Sequence, residues 1–136
     1  MNVPFAIAGA LSLMAAAIHG GVGERLVVTK LRTEVLAPSR FGGPGMTKLM
    51  IRVTWHIATL AFLVIGSAMV ACTPAGSSQS CRAVGHLAAI SFGSFAVLAI
   101  GLAVAAQRAR TPRTLLRHPG PLAFVAVACL AWWGSS

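Results

Sequence analysis

Aspartate and tyrosine are missing from these 136 residues, and the only acids are Glu24 and Glu34. Charged side chains make up 10% of the chain, whereas a soluble domain carries about 25%. That is too little charge to cover a water-facing surface of this size. The scarcity of carboxylates excludes chemistry as well. Both acids lie within one basic connection, so the apolar segments hold no pair for general acid–base work and no Ser–His–acid set. They hold no embedded carboxylate for a proton relay either. Three cysteines occur, Cys72, Cys81 and Cys129, without a C-x-x-C spacing. The glycines form neither G-x-G-x-x-G nor a phosphate-cradling G-x-x-x-x-G-K-[ST]. Gly20-Gly21-Val22-Gly23 reads as a bend, since no strand precedes it. No internal repeat or low-complexity tract is present.

Apolar residues fill the space left by charge, at 57% of the chain. They fall into four segments separated by connections of very different charge. Arg25, Lys30, Arg32, Arg40, Lys48 and Arg52 lie in or at the rim of the first connection, and Arg108, Arg110, Arg113 and Arg117 in the third. Only Arg82 borders the second. This alternation predicts an all-α fold: an integral membrane bundle of four transmembrane helices, up-down-up-down, occupying the whole chain as one domain. The spans are placed at about residues 3–20, 48–72, 83–106 and 119–134. By the positive-inside rule both basic connections are cytoplasmic, and both termini and the second connection lie outside, in the plasma (inner) membrane.

The net charge of +9 and pI near 11.7 would also suit a nucleic-acid binder. Position and context decide otherwise. The cations cluster at helix ends and no aromatic residues are interleaved for base stacking, so the expected electrostatic partner is the anionic lipid head group at the cytoplasmic face and not nucleic acid. The first segment lacks a positively charged leader and reads as a retained helix; Ala15-Ala16-Ala17 is the one feature suggesting a cleaved signal.

Within the segments, Ala8, Ser12, Ala16 and Gly20 recur every four residues, as do Gly85, Ala89 and Gly93, giving small-residue faces for helix packing. Val27, Val28, Leu31 and Val35 share one side of residues 23–36, which reads as a short amphipathic helix on the cytoplasmic face or a tilted extension of the first span. The fourth segment is short for a span, and the Trp132-Trp133 pair would anchor its end at the interface. In size and helix count the chain resembles the small multidrug-resistance transporters, but their embedded glutamate has no counterpart in these apolar segments.

Histidine is the remaining chemistry. His19, His56 and His118 are expected at one membrane depth, near the cytoplasmic side, with His86 near the other. Imidazoles on neighbouring helices could hold haem or a transition metal. Without an H-x-x-x-H spacing, the favoured expectation is no cofactor, with each histidine bonded to a nearby carbonyl or hydroxyl. Arg52, Thr59 and Ser67 form a polar stripe with His56, expected to face the bundle interior. Cys72 and Cys81, on the non-cytoplasmic side, are expected to form a structural disulfide. They superficially resemble the cysteines of disulfide-generating membrane oxidoreductases, whose C-x-x-C is absent here. Cys129 reads as a packing residue. The functional expectation is a non-enzymatic accessory or structural subunit of a membrane assembly, working with a membrane-protein partner or as a homo-oligomer. A metal- or haem-binding redox protein and an oligomeric transporter or channel component are the alternatives.

Overall fold

In a water-poor environment only helices satisfy every backbone polar group within one segment, and the chain is helical throughout its apolar segments. A computed structural model describes residues 1–75, 78–106 and 120–136. Helix α1 spans Val3–Ala17 and passes directly into a π-helical stretch, Ile18–Val28. A 3-10 turn at Thr33–Val35 follows, then α2 (Pro44–Ala75), α3 (Gln79–Ala106) and α4 (Gly120–Ser135). No strand occurs among the described residues; Ser39 and Gly42 make an isolated bridge. Three helical stretches, Val3–Val28, Pro44–Cys72 and Gln79–Val104, are long and apolar enough to cross a membrane. Helix α4 has 16 residues, about 24 Å at ~1.5 Å per residue, against a hydrocarbon core of ~30 Å.

Of the two readings of residues 23–36, the separate amphipathic helix is not formed, while extension of the first span holds for residues 23–28, which continue the first helix without a break; only Thr33–Val35 is helical beyond them. No proline lies between Pro4, in the first turn, and Pro38, so nothing stops the helix at Gly20. The second helix also starts earlier than expected, at Pro44, whose fixed φ and missing N–H suit a first turn. The arginines of the third connection, and His118, lie outside the described residues.

Contacts divide the chain into two units, Met1–Leu11 with Ile65–Ser136, and Ser12–Val64. In the first, contacts between α3 and α4 run in opposite sequence order. Gly85 meets Ser135, His86 meets Trp132, and Phe92 and Phe95 meet Phe124 at ring-centroid distances of 5.8 and 6.1 Å. The two helices are therefore antiparallel. Fully buried Phe5 is the centre of this unit's packing, against Cys72, Cys81 and Val84. Its ring occupies space that side chains on two glycines would need. A Cβ on Gly85 would stand 2.7 Å from Phe5 Cζ and 2.6 Å from Ser135 Cβ, and one on Gly134 would also strike the ring. Asn2 caps α1 by accepting from the Phe5 N–H at 3.1 Å, and its Nδ2 donates to the Gly134 carbonyl at 2.7 Å. Cys72 and Cys81 are within disulfide contact, with Cα atoms 5.5 Å apart, joining α2 to α3.

In the second unit, Ser12 is fully buried and its hydroxyl donates to the Phe62 carbonyl at 2.7 Å. The connection to α2 is tied by Thr47 Oγ1 donating to the Ala37 carbonyl at 2.7 Å.

Two outcomes follow for stability in detergent. Gly85→Leu should destabilise the fold by about 1–3 kcal/mol through overpacking against Phe5. Gly93→Leu should be nearly neutral, because nothing lies within 4 Å of a Cβ there. Reducing the Cys72–Cys81 pair should cost about 2–3 kcal/mol by the chain-entropy account. Denaturant unfolding with and without reductant measures both.

Candidate functional site

Helical geometry decides which side chains of the first segment can meet α2. At about 3.6 residues per turn, an α-helix would set His19 and Glu24 roughly 140° apart. The wider π-helix, with its i→i+5 bonding, brings them to within about 50°. The Thr29 N–H donating to the Glu24 carbonyl at 2.9 Å is one such i→i+5 bond. Both side chains thereby reach the same stretch of α2.

Two glycines permit the close approach. A Cβ on Gly20 would lie 2.6 Å from Thr59 Cγ2, and one on Gly23 would lie 2.5 Å from Trp55 Cζ2. Trp55 packs into this gap, its ring stacked on His19 with centroids 4.1 Å apart and planes 9° from parallel. Its Nε1–H donates to the His19 carbonyl at 2.9 Å. Phe62 meets the His19 ring edge-on at 5.5 Å. His19 Nε2 is buried and has no hydrogen-bond partner.

One turn further along, Glu24 is 13% exposed and faces two bases of α2. Arg52 Nη2 stands 2.7 Å from Oε1, and His56 Nε2 stands 3.4 Å from Oε2. Neither contact has the alignment of a hydrogen bond, and both carboxylate oxygens lack a hydrogen-bond partner. The association is one of charge and proximity, which needs no alignment to act. Arg52 and His56 are about half exposed, at 55% and 44%, so solvent screens the pair from one side. Glu34, the other acid, is paired with Arg32 at 3.5 Å on the surface. Its carboxyl is held below the usual carboxylate range, chiefly by a hydrogen bond from its own backbone N–H and further by Thr33 and Arg32.

Of the residues singled out in the sequence, His19, His56, Arg52 and Thr59 come together in this unit. His118 lies outside the described residues. His19 is stacked on Trp55 and His56 faces Glu24. Among the described residues no three His, Cys, Asp or Glu side chains are grouped to hold a metal ion. Ser67 is exposed, so the polar stripe of α2 does not face inward along its whole length. Gly85 and Ala89 are buried; Gly93 is not in close contact.

Glu24 is the residue that sequence reasoning missed. Assigning it to a surface connection left the apolar segments without a carboxylate, whereas the helix carries it into a membrane-length stretch, Val3–Val28. The signal available was the glycine run ahead of it with no helix stop behind. No protein-family model, curated protein or solved structure matches the chain.

A double-mutant cycle on Glu24→Gln and Arg52→Gln should return a coupling of about 1–3 kcal/mol, since one partner is largely desolvated and the other is not. A coupling near zero would make the contact incidental. Gly23→Ala should displace the Trp55 ring and alter its fluorescence, read in a Trp132→Phe, Trp133→Phe background.

Proposed function

We propose that this chain is a multi-pass integral protein of the plasma (inner) membrane and serves as a non-enzymatic accessory or structural subunit of a membrane assembly. The observation that carries this reading is the uncovered apolar surface of three membrane-length helices. Ile7, Met14, Leu60, Val64, Leu87 and Ile90 are all exposed, and lipid is the environment in which such flanks are stable. Crossing up-down-up-down would place both basic connections in the cytoplasm, against anionic head groups, with the termini and the disulfide outside.

Part of that surface suits protein and not lipid. On α3, Gly93 and Gly101 have nothing within 4 Å of a Cβ, and Val97 between them is 73% exposed. Gly93 and Gly101, eight residues apart on one face, leave low surface on either side of Val97 where a second backbone can approach. A partner helix or a second copy of this chain would pack there.

One observation favours a second reading, an oligomeric transporter or channel component. Glu24 is a largely buried carboxylate in an apolar helix, beside Arg52 and His56, and such groups commonly line ion pathways. Ion flux into vesicles that is abolished by Glu24→Gln would establish this reading over the first.

The membrane reading is tested by alkaline carbonate extraction, with the protein expected to remain in the pellet; release into the supernatant would overturn it. Topology is tested in a Cys129→Ser background with single cysteines at Ser39 and Ser136. An impermeant maleimide added to intact cells should label position 136 and not position 39, and the reverse pattern would invert the orientation. For the assembly reading, native electrophoresis should show a species larger than the monomer. Gly93→Leu with Gly101→Leu should disperse it while leaving thermal unfolding unchanged.

A further inference from the structure

Arg82 makes no ion pair among the described residues. The only two carboxylate side chains in the sequence are Glu24 and Glu34; the first is engaged by Arg52 and His56, the second by Arg32. Arg82 donates through Nε to the Ser135 carbonyl at 3.1 Å. This bond ties α3 to the end of α4 and fixes the guanidinium while leaving its outer edge unused. Arg82 also borders the second connection, which the membrane reading above places outside, where the positive-inside rule selects against arginine. An arginine there, free of any acidic side chain, is open to an anion from outside the chain.

The surroundings specify what kind. Gln79, Arg82, Ala83 and His86 recur at intervals of three and four on one face of α3, and they line a cavity of about 550 Å³. Its polar groups are a guanidinium, an imidazole and an amide, with no carboxylate. The His86 ring makes no hydrogen bond among the described residues and rests 5.2 Å from the Trp132 ring. Trp132 then lines a second cavity of about 380 Å³, formed with Ala89, Ile90, Ala128 and Cys129. Apart from the Cys129 thiol and the Trp132 indole N–H, the side chains of that groove are aliphatic. A cationic recess thus joins an apolar groove through the His86–Trp132 contact, along one side of the antiparallel α3–α4 pair.

We propose that this face binds one phospholipid. Arg82 and His86 hold the phosphate, Gln79 donates to its head group, and an acyl chain lies along Ala89, Ile90, Ala128 and Cys129. A phosphate diester suits a guanidinium edge, which presents two N–H donors to two oxygens. The continuous apolar groove distinguishes an amphiphile from a free anion, since inorganic phosphate would use only the recess. Trp132 sits where its ring packs on acyl chain and its N–H faces the head-group layer. This assignment rests on the membrane reading above, and it places the lipid in the leaflet opposite the basic connections.

Cys129 supplies the reporter. Cys72 and Cys81 are joined, so Cys129 is the free thiol of the chain, and it is exposed in the groove. With the full chain in a nonionic detergent, short-chain phosphatidylglycerol should slow alkylation of Cys129 by N-ethylmaleimide in a saturable way. Native mass spectrometry should find one lipid retained per chain. Arg82→Gln should raise the half-protecting concentration about tenfold, the size of one lost charge-assisted contact. His86→Leu leaves the Arg82–Ser135 bond in place and should weaken protection by about threefold or more. Ala128→Leu, which narrows the groove and leaves every charge intact, should lower lipid retention.

Wild-type protection in both Arg82→Gln and His86→Leu would overturn the proposal. So would equal protection by a short-chain diacylglycerol, which lacks the phosphate. Competition by inorganic phosphate at concentrations similar to the lipid would assign the recess to the free anion and overturn the lipid assignment. Failure of the membrane reading is a separate result: the protein would be released by carbonate, whereas binding here is measured in detergent.

Discussion

A chain with this little charge pairs most of its buried polar groups within itself, and that tendency shapes both units; His19 Nε2 and the Glu24 carboxylate oxygens, which lack a hydrogen-bond partner, are the exceptions among the described residues. Burying an unpaired polar group costs more than any single packing contact returns. Backbone groups are therefore paired within long helices. Polar side chains turn onto neighbouring carbonyls: Ser12 onto Phe62, Trp55 onto His19, Arg82 onto Ser135 and Asn2 onto Gly134. Each bond links two helical segments, so satisfying the polar atom also fixes a packing distance. Absent glycine side chains set the same distances from the apolar side. Gly85 and Gly134 make room for Phe5, and Gly20 and Gly23 for Thr59 and Trp55.

The treatment of charge follows from the same scarcity. Only two carboxylates are available, and both are used near the basic first connection: Glu24 against Arg52 and His56, Glu34 against Arg32. The buried member of this set depends on a local change of helix type. Widening the first helix over Ile18–Val28 lets Glu24 and His19 face α2 together. Ion pairing and aromatic stacking thus act on adjacent turns of one interface. Arg82, on α3, is left with a carbonyl and no acidic side chain.

Much of the architecture was legible because length and composition act locally. Apolar runs of the second and third segments became α2 and α3, each beginning four residues earlier than expected, at Pro44 and Gln79. The Cys72–Cys81 pairing followed from two cysteines bracketing a short connection. The small-residue repeat was only half informative: Gly85 lies against Phe5, while Gly93 on the same repeat touches nothing. A spacing shows which residues share a face, but which part of that face is covered depends on another helix. Ser67 makes the same point on α2, lying on the polar stripe and yet exposed.

Glu24 marks the boundary between the two kinds of information. Composition and charge order by themselves determined that the apolar segments are helical and that the cations gather between them; they pointed to four spans, of which three are long and apolar enough to cross a membrane. Those are properties of single segments, set by backbone satisfaction and side-chain transfer. Which polar side chains meet was decided only by tertiary packing. It depends on a helix that widens where Gly20 and Gly23 admit Thr59 and Trp55, rotating a carboxylate five residues from His19 onto the same partner. A pattern read at 3.6 residues per turn points that carboxylate elsewhere.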